Sequence, residues 1–311
     1  MRFVVNTSEQ GKLLRDYLRE IGVSSALLSR LKRDERGILL NGTHVTVRAV
    51  VYSGDVLELA IEDAPGASVV VPRDLPVCVI AQTEDYLVVN KAANMPTHPS
   101  HGHFEDTLAN GLAALFAKDG VPFRPRFINR LDRNTTGVVL VARHALSAAA
   151  LSASMARGEI QKSYLALVQG KLLQPQRIET GIRRREESII FREICAVKEG
   201  ERAVSEVVPI VAGEEFSLVK LIPHTGRTHQ LRVHMAHIGH PLLGDELYGT
   251  GAGMARHALH AACLKFPASK GEGQVIVRAP LPQDMMDKIE ELGREAVLLA
   301  KSECGQTGKE L

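Results

Sequence analysis

The 311-residue chain has no tryptophan, and aromatic residues make up only 4% of it. That scarcity argues against a wide platform on which successive bases could stack. The four cysteines, Cys78, Cys195, Cys263 and Cys304, lie far apart and form no CxxC pair. Scattered buried thiols in a reducing cytosol are therefore expected, not a disulfide framework. No apolar run reaches the roughly 18 residues a membrane-crossing helix needs. The opening MRFVVNTSEQGK lacks an apolar stretch followed by a small-residue cleavage site, so no signal peptide is read. The cytoplasm is the expected location, with no membrane partner. Internal repeats and low-complexity tracts are absent as well.

What is present is a soluble, core-forming composition, 45% hydrophobic and 24% charged, in a chain long enough for two domains. The net charge of +2 hides an uneven distribution. Between Arg124 and Arg192 there are thirteen Lys or Arg against five Asp or Glu, a local balance of +8. From Asp284 to Leu311 the balance is −3, with four against seven. A basic middle suits a polyanionic partner, although a solvated face would look the same.

Residues 1–62 read as one unit. Leu14, Tyr17, Leu18 and Ile21 recur at helical spacing, and Gly22 follows where a C-cap belongs. Ser24 or Ser25 caps a second helix, ALLSRLKRDERG, which turns Leu27, Leu28 and Leu31 inward and shows Arg30, Lys32, Arg33 and Arg36 outward. GILLNGTHV places Asn41-Gly42 between two apolar runs, a strong hairpin signal. Two helices and a hairpin with a basic second helix resemble the RNA-binding module named after ribosomal small-subunit protein S-four. An ordinary helix-hairpin unit with a basic face is the alternative.

Residues 63–75, within the three-proline segment EDAPGASVVVPRDLP, read as a linker, and residues 76–301 as a second domain followed by a tail, 302–311. In that domain VCVIAQTEDYLVVNKA reads as two strands around a turn, and TGVVLVAR, KSYLALVQG, ERAVSEVVPIV, FSLVKLIP and GQVIVRAP as further strands. HALSAAALSASMARG, THQLRVHMAHIG and PQDMMDKIEELGREAVLLAK read as helices. The mixture without a regular βαβ rhythm predicts an α+β domain on a mixed, largely antiparallel sheet.

Two stretches carry the chemistry. In RFINRLDRNTTGVVLVAR, residues 126–143, Asp132 stands between Arg130 and Arg133 ahead of a tight loop and a strand. The residues alone allow a surface carboxylate neutralised by arginines, or one projected from a rigid junction into a cleft. Residues 225–249, TGRTHQLRVHMAHIGHPLLGDELYG, hold His229, His234, His237 and His240. Histidines at i, i+3 can share a metal, but there is no HExxH pattern, and Arg232 in the cluster would oppose a cation. Hydrogen bonding and packing are the expected roles.

Taken together, four motifs resemble the RluA-type RNA pseudouridine synthases. NRLDRNTTG resembles the family's HRLDxxTSG, and GRTHQLRVHMAHIGHPLLGDELYG its third motif. DYLVVNKAANMPTHP resembles the opening segment, and KSYLALVQG the KxYxAlVxG strand. The order is that of the family, and with the amino-terminal module the resemblance spans nearly the whole chain.

The resemblance implies a pseudouridine-synthase-type catalytic domain that isomerises uridine in structured RNA, large-subunit ribosomal RNA being favoured. It also implies a base flipped out of the RNA. Asp132 then corresponds to the catalytic aspartate, Tyr164 to a tyrosine that packs on the flipped base and is a candidate to take its C5 proton, and Arg232 to the basic partner of the aspartate. Leu231 corresponds to the apolar neighbour, and Arg130 to the arginine that enters the helix where the uridine leaves. Arg30, Lys32 and Arg33 would bind RNA from the amino-terminal module.

Isomerisation moves the ribose C1′ bond from N1 to C5 with no oxidation and no imported group, so neither metal nor organic cofactor is expected, and a monomer suffices. The carboxylate could attack C1′ or remove the 2′ proton. Either role needs an ionised Asp132, which a neighbouring guanidinium favours and burial opposes. Asn129 stands where the family has His, Thr136 where Ser is common and Ala92 where Pro is preferred. Asn cannot titrate near neutral pH, so Asn129 is expected to position the loop. Two other classes remain: a non-catalytic RNA-binding or ribosome-assembly factor on the same fold, and a metal-dependent hydrolase built on the histidines.

Overall fold

The computed structural model describes residues 1–61, 70–118, 120, 123–188, 190–268 and 273–306. Residues 63–69 of the expected linker and 307–311 of the expected tail lie outside that set.

The amino-terminal residues form strand β1 (Arg2–Val4), helices α1 (Leu14–Glu20) and α2 (Ser25–Leu31), the hairpin β2 (Ile38–Leu40) and β3 (Thr43–His44), and β4 (Val56–Leu59). The sheet order is β1-β4-β2-β3. Ser24 caps α2 by accepting from the Leu27 backbone N–H. Asn41 and Gly42 both have positive φ, as a type I′ turn requires. β1, which the sequence pattern does not announce, pairs antiparallel with β4 and closes the sheet. Leu14, Leu18, Leu27, Leu31, Leu57 and their neighbours form the core of this unit, and Leu146 from the second part of the chain packs into it.

Helix α2 is shorter than expected, ending at Leu31. The chain turns back so closely that a Cβ on Gly37 would lie 2.0 Å from the Leu31 carbonyl oxygen. That approach is open only to glycine, and it leaves Lys32 and Arg33 just past the helix.

Eleven of the described strands form a second sheet. The first are β5 (Cys78–Gln82) and β6 (Tyr86–Lys91), then β7 (Arg126–Phe127) and β8 (Thr136–Ala142) after helix α3 (Leu108–Ala117). Helix α4 (Ala145–Ala156) leads to β9 (Gln161–Gln169), β10 (Gln176–Arg184), β11 (Arg192–Cys195), β12 (Glu201–Ala212) and β13 (Phe216–Pro223). Helix α5 (Gln230–His237) precedes β14 (Leu259–Pro267) and β15 (Gln274–Arg278), and α6 (Gln283–Glu290) and α7 (Arg294–Glu303) close the described chain.

The order is β11-β10-β12-β13-β9-β14-β8-β6-β5, with β15 on β14 and β7 on β8. All pairs are antiparallel except β8 with β14, which meet over His260–Thr136 and Ala261–Gly137. This is the α+β, mixed and largely antiparallel architecture the patterning predicts. At the parallel contact a Cβ on Gly137 would stand 2.2 Å from the Ala261 carbonyl oxygen, so glycine is required there.

One face of the sheet packs Leu87, Val89, Val139, Val141, Ala166 and Val219 against α3 and α5. The opposite face packs Leu165, Leu167 and Leu218 against α6 and α7. The carboxy-terminal segment, expected as one helix, is two helices broken at Gly293, whose φ of 98° an L side chain rarely adopts. α7 runs two residues into the segment expected as a tail. Cys304 alone among the cysteines is buried, Cys78 is exposed, and all four are free thiols.

Candidate active site

Between the end of β7 and the start of β8 the chain forms a loop, and Asp132 sits in its middle. Both neighbours of Asp132 are fixed. The Thr97 hydroxyl donates to the Leu131 carbonyl at 2.8 Å and accepts from the Leu131 N–H at 3.1 Å. On the other side the Arg133 carbonyl accepts from the Lys91 ammonium at 3.0 Å and from the Met95 N–H at 3.2 Å.

Lys91 is 1% exposed and donates also to the carbonyls of Ala92 and Met95. Burial lowers its pKa to about 7, against the opposing charge of Asp132. Asn129 anchors the start of the loop to β8, donating to the Val138 carbonyl at 3.1 Å and accepting from the Leu140 N–H at 2.8 Å. A neutral amide meets both needs at once, the positioning role expected of it. The carboxylate itself is 21% exposed at the wall of a cleft of about 990 Å³.

Asp132, Tyr164, Arg232, Leu231 and Arg130 all line this cleft, whereas Arg30, Lys32 and Arg33 do not. Tyr164 comes from the central strand β9, with its ring buried. Burial pushes its phenol well above the ordinary value, and the charge of Asp132 adds to the rise. Leu231 and Arg232 come from the first turn of α5 and are both buried.

Arg232 has one aspartate partner that the sequence does not single out. Its Nε and Nη2 donate to the two carboxylate oxygens of Asp245, each at 2.8 Å, while Nη1 stands 3.5 Å from Asp132 Oδ2. Asp245 is fully buried and accepts also from the backbone N–H groups of Leu247 and Tyr248. Burial works against both charges, yet the bidentate contact holds Asp245 below the usual carboxylate range and keeps Arg232 protonated. The strong pair is thus Arg232–Asp245, and Asp132 receives the remaining corner of the guanidinium.

The four histidines have separate hydrogen-bonding or surface positions. His229, at the start of α5 with a φ of 56°, shares a 2.8 Å hydrogen bond between Nδ1 and the Tyr248 hydroxyl, and its Nε2 lies 3.9 Å from Asp132 Oδ2. Burial lowers its pKa. His234 sits between the hydroxyls of Ser205 and Thr180, His240 contacts the Gln169 carbonyl, and His237 is exposed. Among the described residues no group of three or more His, Cys, Asp or Glu is placed to hold a metal ion. The Arg232 guanidinium carbon lies 5.1 Å from the centre of the Tyr248 ring.

Asp245, Tyr248 and His229 lie within the stretch the sequence marks as informative, but nothing in their spacing says that they meet. Lys91 and Thr97 could have been noticed as polar residues beside a buried strand. No described helix is long and apolar enough to cross a membrane.

A family model described as RNA pseudouridylate synthase matches residues 85–237. An uncharacterized RNA pseudouridine synthase of Bacillus subtilis, YjbO, is 34% identical over 274 residues, covering 88% of this chain and 96% of the relative. The ribosomal large subunit pseudouridine synthase D of Xylella fastidiosa is 32% identical over 285 residues, covering 86% of this chain and 84% of the relative. Among solved structures, human RNA pseudouridylate synthase domain containing 1 superposes with a TM-score of 0.55 at 29% identity, covering 66% of this chain and 83% of that one.

Proposed function

The chain belongs to the RNA pseudouridylate synthase family, isomerases that act on RNA, and from that premise we propose that it converts uridine to pseudouridine in large-subunit ribosomal RNA through Asp132. The observation that carries this reading is the convergence of Asp132, Tyr164, Leu231 and Arg232 on one cleft.

In the proposed reaction the target uridine leaves its stack and enters the cleft, at a cost of a few kcal/mol. Arg130 fills the gap it leaves, and contact with the Tyr164 ring returns about 1–3 kcal/mol. Asp132 acts at the ribose, either by bonding to C1′ or by taking the 2′ proton. The C1′–N1 bond breaks, the uracil turns to face C1′ with C5, the new carbon–carbon bond forms, and the C5 proton is removed while N1 gains one. Nothing is oxidised or imported, so the scheme calls for no cofactor.

The elements of the site support this division of labour. Arg232 is kept charged by Asp245 and turns one nitrogen toward Asp132, 3.5 Å from Oδ2, so the carboxylate faces a positive charge without being taken up in a tight pair. The loop is braced on both sides of Asp132, so the carboxylate can hold its place when the ribose arrives. The Tyr164 phenol, with its raised pKa, stays protonated at neutral pH. Its first role is therefore contact with the base, and any transfer of the C5 proton to it needs the hydroxyl to lose its own proton in the same step.

Residues 1–62 are proposed as an S-four-like RNA-binding module that presents Lys32 and Arg33 to the phosphate backbone, with Arg30 beside them. Residues 76–301 are proposed as the catalytic domain, acting as a monomer in the cytoplasm. The preference for ribosomal RNA draws on the Xylella relative, which is named for the large ribosomal subunit.

The test is to incubate purified protein with unmodified large-subunit ribosomal RNA and with transfer RNA, and then to map pseudouridine at single-nucleotide resolution. Discrete new sites in the large-subunit RNA are expected. Modification confined to transfer RNA would overturn the substrate assignment, and none in either would overturn the reaction.

A further inference from the structure

Lys162 stands on β9 two residues before Tyr164, so the two side chains share the strand face that borders the cleft. It is one of the cations of that cleft whose charge is not engaged by protein. Arg232 is held by Asp245, and Arg227 donates to Glu201 at 2.8 Å and to the Arg202 carbonyl at 3.1 Å. Beyond the backbone pairing of β9, the Lys162 ammonium makes no hydrogen bond and no ion pair among the described residues. Burial pulls its pKa down, and no acidic group stands near enough to oppose that.

The ammonium is not sealed in, because no fully buried side-chain nitrogen or oxygen among the described residues lacks a partner. Its Nζ lies beside Gly226 at the cleft, where an added Cβ would touch it at 3.6 Å, so the glycine leaves that side of the ammonium uncovered. A largely buried ammonium with no counter-ion is unfavourable until a ligand brings one. A lysine suits a phosphate as a point charge, with no need for the planar geometry an arginine would impose. The anionic groups of RNA are its phosphates.

We propose that Lys162 binds the phosphate adjoining the everted uridine and thereby fixes the ribose against Asp132. This rests on the cleft being the uridine site. It gives the cleft two anchors on one strand, Lys162 for the backbone and Tyr164 for the base.

The test uses three RNAs carrying one mapped target: the native sequence, and two in which the phosphate 5′ or 3′ of the target is an uncharged methylphosphonate. kcat and KM for pseudouridine formation are measured with wild-type protein, Lys162→Met and Lys162→Arg. Lys162→Met, which keeps the packed stem, should raise KM on native RNA about tenfold, the scale of one charge-assisted contact. Lys162→Arg should recover most of that. One methylphosphonate should cost the wild type a similar factor and cost Lys162→Met almost nothing more.

Losses that multiply for both modified RNAs would overturn the assignment, as would an unchanged KM for Lys162→Met. If Lys162→Met fails to fold, the wild type alone decides, since indifference to both methylphosphonates is equally fatal. A wild-type protein that forms no pseudouridine in native RNA would instead refute the reading of the cleft itself.

Discussion

At the scale of single residues the arrangement separates charge support from reaction. Asp245 is fully buried against Arg232, whereas Asp132 is partly exposed and holds only the outer corner of that guanidinium. Removing one member of a buried pair leaves the other charge uncompensated, at a cost of about 3–5 kcal/mol. Asp245→Ala should therefore lower stability by about that amount and activity with it. Asp132→Ala should leave stability within about 1 kcal/mol of the parent, since it breaks no strong pair. Urea midpoints of the two variants check this, and equal destabilisation would contradict it.

The asymmetry also shows what the sequence makes legible at this scale. Asp132 stands out because it lies among arginines, at a loop-strand junction, inside a recognisable motif. Asp245 lies thirteen positions beyond Arg232, after a helix stop, in a run dominated by Leu and Gly. No local periodicity joins them, and only the return of the chain under α5 does. Lys91 is similar: it ends an apolar strand like many solvent-facing lysines, yet three carbonyls from two loops converge on its ammonium.

At the scale of elements, the α2 region ties electrostatics to RNA binding. Lys32 and Arg33 follow the helix and are exposed, while Arg30 is partly buried and donates to the Ala60 carbonyl at 3.3 Å. The double variant Lys32→Gln, Arg33→Gln therefore tests the proposed RNA interaction with less disturbance than one that includes Arg30. A cation that no longer meets its phosphate should reduce the slope of log K against log salt by about 0.7–0.9. The double variant should bind RNA more weakly, with a slope shallower by about 1.4–1.8 for its two cations. An unchanged slope in salt titrations would remove this surface from the RNA interface.

Elements with strong local signals were readable: the Asn41-Gly42 hairpin, the Ser24 cap, and the apolar strands β6, β8 and β9. Those that depend on tertiary contact were not. Helix α3 carries Gly111 in its middle, a weak helix former, because a Cβ there would meet Val77 at 2.7 Å. Strands β10 and β11 are short of apolar residues because they form the charged edge of the sheet, with Arg183 paired to Glu193 across the hairpin. The periodicity of the last helical segment runs through Gly293, so the break is set by backbone conformation and not by patterning.

At the scale of the whole molecule, buried imidazoles set a limit on acid stability. His234, His257 and His260 are each buried in hydrogen-bonded positions, and burial lowers their pKa values to about 4. In the unfolded chain they take up protons near the ordinary value of 6.5. Between about pH 6.5 and 4 the unfolded state therefore holds more protons, and stability falls as pH drops, by about 1.4 kcal/mol per pH unit for each fully coupled imidazole. Above pH 6.5 these groups contribute no slope. Denaturant midpoints at pH 7.5, 6.5, 5.5 and 4.5 should be flat at first and then fall. A flat profile down to pH 4.5 would show that the three rings already titrate normally in the folded state.

The α+β class and the sheet character were legible from alternation and from the absence of a βαβ rhythm. The strand order was not. The single parallel contact between β8 and β14 depends on Gly137 admitting the Ala261 backbone, and it joins segments more than 120 positions apart. Such pairing leaves no local trace, yet it brings the Asp132 loop, which leads into β8, to the same end of the sheet as Tyr164 on β9.

The most direct measurement is made on Asp132→Asn, a change that keeps size and removes charge. Pseudouridine formation in a single turnover and equilibrium affinity for the same RNA are measured side by side. Product should vanish while affinity stays within a few-fold of the parent. Continued turnover by the variant would contradict the account.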